Sequence, residues 1–245
     1  MSTFSLCRLS ALLACLFSTL TQAEQPALRF AVTESTAMPM MQIEHGQAVG
    51  GILYDLQSRL AQKVGRQARM LVLPRLRVQS MMMHGEIDVR CNVSPAWLIS
   101  GHHQYIWSLP FMFQSDVLVT RADMTHREPR AGERIGTVLG FGYSALEARF
   151  LSGDLVREDV RTQDQVLEKL IARRYDFAIA NQLTLDWFNR HLAPDKRLVR
   201  VTEIGSDPLA CIIRNEADVP TMALLRAMVQ MKEDGELDAI LARYR

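Results

Sequence analysis

Apolar positions along this chain alternate between two spacings. Short runs of β-branched and aromatic residues mark strands, and stretches with an apolar residue every third or fourth position mark amphipathic helices. Leu28–Thr33 and Ala68–Leu73 read as strands, and between them Leu56, Leu60, Ala61 and Val64 recur at helical spacing until Gly65 ends the helix. Val78–Met83 is a methionine-rich helix, the kind of stripe that usually packs softly into a core. Ile87–Val93 is a short strand stopped by Ser94-Pro95, because proline has no N–H for a ladder. Asp116–Thr120 and Arg134–Val138 continue the strands. Helices follow over Ala145–Leu151, over Val166–Arg173 behind the capping run Thr162–Gln165, and over Leu183–His191. Leu198–Val201 is a strand, Ile204–Arg214 a second crossing, and Thr221–Tyr244 a terminal helical stretch. The segment Arg174–Asn181 echoes His84–Asn92: in each, a helix yields to a turn, an aspartate and a strand that ends in asparagine. The echo fits two halves of similar build. A strand that closes on a polar residue and opens into a loop is where open α/β sheets hold ligands.

Composition narrows the function classes. The 245 residues are 48% hydrophobic and 22% charged, with a formal net charge of +1, which fits a globular protein and provides no field for nucleic acid or an acidic membrane. Residues 1–23 read as a leader: Arg8 is the sole charge, Leu9–Leu20 is largely apolar, and Thr21-Gln22-Ala23 presents small residues to a signal peptidase. Cleavage after Ala23 starts the mature chain at Glu24, with Arg8 removed and the net charge at zero; a lipoprotein cleavage at Cys15 is the alternative. The expected compartment is a periplasm. There Cys91 and Cys211 are free to bond or to remain two separate buried thiols.

Several segments then fall into a familiar order. They are Glu34 followed by Met38-Pro39-Met40, the run Gly50–Leu56, Gly85 with Ile87-Asp88, Trp107–Phe111, Gly140-Phe141-Gly142, and Met231–Leu237. Together they resemble the family 3 periplasmic solute-binding proteins, the polar amino acid receptors of ABC importers, from about Leu28 to the C-terminus. The resemblance implies a type II periplasmic-binding fold: two α/β lobes, each a mostly parallel sheet flanked by helices, joined by two crossovers. Lobe one is expected at 24–111 plus 206–245 and lobe two at 112–205, with crossovers near Phe111–Gln114 and Ile204–Asp207. In that fold the strand of Cys91 lies beside the returning strand Ala210–Arg214, so a Cys91–Cys211 disulfide is implied. The implied partners are a small ligand and an inner-membrane ABC permease. The protein is expected to be a monomer that uses no cofactor, binds no nucleic acid and catalyses no reaction.

The chain departs from the family at the positions that grip an amino acid. No arginine occurs between Arg90 and Arg121, and the second-lobe acid position is the neutral Asn181. Charge complementarity to a zwitterion is not visibly built in. The candidate pocket is Glu34, Arg75, Asn92, Trp97, Phe141, Gly142, Tyr143 and Asn181. Trp97 and Phe141 provide stacking area, the asparagines paired donors and acceptors, Arg75 an anion contact and Glu34 an ammonium contact. Arg90 is a secondary candidate, read as either a ligand contact or a buried ion-pair partner. Metal binding is not expected, because no cysteine or carboxylate completes a ligand set with His84, His102 and His103. Two alternatives share the same cleft: a ligand sensor for a signalling partner, and an enzyme resembling cyclohexadienyl dehydratases with Glu34 as its acid.

Overall fold

The structure is a computed structural model that describes residues 25–98, 104–125 and 127–244. The expected leader, Cys15 and the pair His102-His103 lie outside these residues. The first half of the chain forms β1 (Leu28–Thr33), β2 (Gln42–Glu44), β3 (Gln47–Gly50), α1 (Ile52–Lys63), β4 (Ala68–Leu73), α2 (Arg75–Met83) and β5 (Val89–Val93). Then come β6 (Tyr105–Trp107), β7 (Met112–Arg121), β8 (Glu133–Val138), α3 (Glu147–Leu151), β9 (Leu155–Val160), α4 (Gln163–Ile171), β10 (Phe177–Asn181) and α5 (Gln182–Arg190). The chain finishes with β11 (Leu198–Arg214), α6 (Thr221–Glu233) and α7 (Glu236–Ala242).

Among the described residues nine strands hydrogen-bond in the order β4-β1-β5-β11-β7-β10-β8-β9, with β6 also on β11; β2 and β3 form a separate hairpin. Pairing is parallel at the outer positions (β4-β1-β5 and β10-β8-β9) and antiparallel around β7 and β11. Hydrophobic clusters cover both faces at each end, as parallel strands require. In β1, Leu28, Phe30 and Val32 enter one cluster with α1, α6 and α7, while Ala31 enters another with α2. In β10, Ala178 and Ala180 pack on one side with α4 and Phe177 and Ile179 on the other, the period of two that a strand imposes. The result is two α/β lobes, as expected.

The echoed segments are built alike. Asp88, ahead of β5, accepts from Arg29 Nη2 at 2.6 Å and Arg214 Nη2 at 2.9 Å. Asp176, ahead of β10, accepts from Arg121 Nη2 at 2.7 Å and Arg127 Nη2 at 2.9 Å. Each aspartate thus ties its strand to neighbouring segments, and these pairs hold both carboxyls below the ordinary aspartate range. Cys91 and Cys211 form a disulfide between the paired strands β5 and β11.

Several elements depart from the expectation. Leu198–Val201 and Ile204–Arg214 are one continuous strand, because β11 stays paired with β7 from Leu198 opposite Arg121 to Leu209 opposite Met112. The terminal stretch breaks into two helices at Gly235, which adopts a left-handed φ of 74°. α2 begins at Arg75, directly after Pro74. The hairpin β2-β3, the short β6 and the edge strand β9 were not expected.

Candidate functional site

A cavity of about 50 Å³ lies where the strand ends of the two halves face one another. The first half contributes Thr33 at the end of β1, Thr36, Arg75 at the start of α2, Arg90 and Asn92 in β5, and Trp97 from the turn Pro95–Trp97. The second contributes Phe141 and Gly142 from the turn after β8, Gln163 at the start of α4, Asn181 at the end of β10 and Thr184 in α5. Gln114 and Asp116 of β7 complete the wall.

Six of the eight residues expected at the pocket therefore share one cavity, together with the secondary candidate Arg90. Glu34 and Tyr143 do not line it. Glu34 is exposed on the turn after β1. Tyr143 is buried in the second-half core, where its hydroxyl accepts from Val138 N at 3.1 Å and Arg157 sits 5.2 Å over its ring.

Three polar groups in the wall have a definable local reason for their position. Asn181 caps α5, its Oδ1 accepting from Leu183 N at 2.8 Å, while Gln163 Oε1 receives its backbone N–H. The cap uses the amide oxygen only, and among the described residues the buried Nδ2 has no partner. Asn92 takes a left-handed φ of 63°, a conformation asparagine tolerates, and its buried Oδ1 also finds no partner among the described residues. Trp97 donates Nε1–H to Asp207 Oδ2 at 2.9 Å, which fixes the indole plane at the wall.

The charges are arranged less evenly. Arg75 donates Nε–H to Gly140 O at 2.7 Å and lies 5.0 Å from the Phe141 ring centroid, so it reaches across the cleft. Arg90 is only 6% exposed, and among the described residues no carboxylate pairs with it. Burial, and then the charge of Arg75, push its guanidinium down to about 10. Asp116 is partly open to the cavity yet sufficiently enclosed that burial raises its carboxyl to about 7. A hydrogen bond from Gln114 opposes that rise, and the charge of Asp207 adds to it. Among the described residues no cluster of histidine, cysteine, aspartate and glutamate suits a metal, and no helix is long and apolar enough to cross a membrane.

Sequence reasoning missed Gln114, Asp116, Gln163, Thr33, Thr36 and Thr184. The signal for Asp116 was present, since an aspartate opening an otherwise apolar strand is an anomaly that asks for a use.

No family model matches the sequence, and no curated protein matches it. Solved structures do match. An ancestral arginine-binding protein bound to arginine superposes with a TM-score of 0.74 at 18% identity, over 90% of this chain and 98% of that one. An ancestral amino acid-binding protein, a precursor of cyclohexadienyl dehydratase, gives 0.73 at 17%, over 90% and 95%. The arginine-, lysine-, histidine-binding protein of the thermophilic bacterium Geobacillus stearothermophilus gives 0.72 at 14%, over 89% and 94%. The likeness is one of fold, spread over nearly the whole of each chain.

Proposed function

Proceeding from this two-lobe periplasmic-binding fold, we propose that the chain is an exported solute-binding protein. It closes its lobes on a small polar solute and delivers it to an ABC permease. Lobe one is 24–111 plus 206–245 and lobe two is 112–205, with the leader 1–23 removed and the protein free in the periplasm. The pocket is formed by Arg75, Arg90, Asn92, Trp97, Phe141, Gly142 and Asn181, joined by Asp116 and Gln163.

One observation carries this reading. Asn92 Oδ1 and Asn181 Nδ2 are a buried acceptor and a buried donor, one from each proposed lobe, on residues that line the same cavity, and among the described residues neither has a partner. Leaving such groups unmade is costly, and a polar molecule seated between them satisfies both. Enclosure between two lobes is also the geometry of hinge closure on a ligand.

The test is a thermal-shift screen of the mature protein against amino acids, amines, organic acids, phosphate esters, short peptides and sugars. A ligand at about a thousand times its Kd adds roughly 4 kcal/mol, on the order of 10 °C for a chain of this length. Asn181→Asp keeps the capping oxygen and removes the unpartnered donor, so it is expected to abolish the shift while leaving the fold intact. A hit that survives both Asn181→Asp and Trp97→Ala rejects this cavity as the site. Chemical conversion of the hit on prolonged incubation, followed by product analysis, rejects a pure binding role in favour of the dehydratase-like alternative. Recovery of a membrane sensor rather than a permease in a ligand-dependent pull-down favours the signalling one.

A further inference from the structure

Arg75 and Arg90 are two guanidinium groups lining one small cavity, and among the described residues neither meets a carboxylate. Arg75 spends its Nε–H on a backbone oxygen, which leaves its charge uncompensated. Arg90 is nine-tenths buried within β5, and Arg75 is the cation whose charge bears on it. The acidic group of the same wall, Asp116, accepts from Gln114 Nε2 at 3.3 Å, and among the described residues it forms no ion pair with either arginine. Two like charges facing a shared, enclosed space destabilise one another, and a counter-charge entering that space offsets the cost. Guanidinium forks match the oxygen pairs of carboxylates and phosphoryl groups. The unpartnered donor Asn181 Nδ2 and the unpartnered acceptor Asn92 Oδ1 add one bond to and one bond from the occupant.

Resting on the binding role proposed above, we infer that the occupant is a compact dianion, a short dicarboxylate or a phosphate monoester, held between Arg75 and Arg90. A hydroxyl on that molecule suits Asn92. This sets the ligand class apart from the amino acids named for the structural neighbours.

The experiment uses the mature protein in low-salt buffer at pH 7. Isothermal calorimetry is run with succinate, L-malate, glycerol 3-phosphate and inorganic phosphate, then with L-alanine, L-arginine and putrescine. At least one dianion is expected to bind, and the dicarboxylate and phosphate arms identify which oxygen chemistry is preferred. Arg90→Gln and Arg75→Gln are each expected to weaken it by roughly 30-fold or more. Arg90→Lys, which keeps the charge and loses the fork, should recover part of that loss. Far-UV circular dichroism checks that each variant is folded. Binding of L-alanine, L-arginine or putrescine in place of every dianion overturns the inference while leaving the binding role intact. So does dianion binding that persists in a folded Arg90→Gln variant. Silence from these probes together with silence across the wider screen rejects the binding role itself.

Discussion

Arg90 is the residue whose role the strand pattern concealed. Its place in Ile87–Val93 suggested either an inward ion pair or a ligand contact, because alternation along a strand tells which face a side chain takes and nothing about what waits there. In the folded chain it faces the cavity, and among the described residues it has no carboxylate partner. A buried cation without a partner destabilises the empty protein. Arg90→Gln is therefore expected to stabilise the ligand-free form by about 1–3 kcal/mol, read as a higher midpoint in denaturant. Asp116 gives a second prediction, through pH. Its carboxyl sits near 7 when folded, against 3.8 for an exposed aspartate, so the folded state holds the proton more tightly. Stability from this group is present below about pH 4 and lost as pH rises through about 7. The arginine-paired carboxyls Asp88, Glu133, Asp176 and Glu236 are shifted down and act below that window. Ligand-free protein should melt at a lower temperature at pH 8 than at pH 5, and Asp116→Asn should flatten that slope. Asn92, Asn181 and Trp97 were legible because they stand at or just beyond strand ends, whereas Glu34 was placed by analogy of motif and its turn points it to solvent.

Among the elements, the strands with dense β-branched content were legible and the polar ones were not. β9 reads LVREDV, with four polar or half-exposed positions between buried Leu155 and Val160, so it lacks the density that marks an inner strand. It is an edge strand of the sheet, where one neighbour suffices. The polar pair Thr202–Glu203 divides β11 in the sequence pattern, and there the register shifts disturb its pairing without ending it. β8 carries a tightly enclosed glycine: a methyl group on Gly136 would lie 2.2 Å from the Tyr175 ring. Tyr175 is held by its hydroxyl bond to Val166 O at 2.7 Å and is buried, so it cannot withdraw. Gly136→Ala should cost about 1–3 kcal/mol or more, and adding Tyr175→Leu should recover part of the loss in a double-mutant cycle. The disulfide between β5 and β11 was implied only by resemblance; composition alone left two thiols. Replacing both Cys91 and Cys211 with serine should lower stability by about 2–5 kcal/mol, measured by urea unfolding.

At the scale of the whole molecule, the α/β class and the two-fold plan were legible because the echo of His84–Asn92 in Arg174–Asn181 survives as matched aspartate clamps and matched cavity asparagines. What the sequence did not reveal is how the charges of the two halves balance when they meet, since that depends on pairs far apart in the chain. Arg75 reaching Gly140 across a separation of 65 positions is one such case. The disulfide has another consequence at this scale. Arg130 is exposed between β7 and β8, and cutting the chain after it leaves Cys91 in one fragment and Cys211 in the other. Trypsin-nicked protein should therefore migrate as a single species on a non-reducing gel and as two after reduction. Until the bridge is reduced, the fragments cannot diffuse apart, and a broken backbone leaves the cleft assembled.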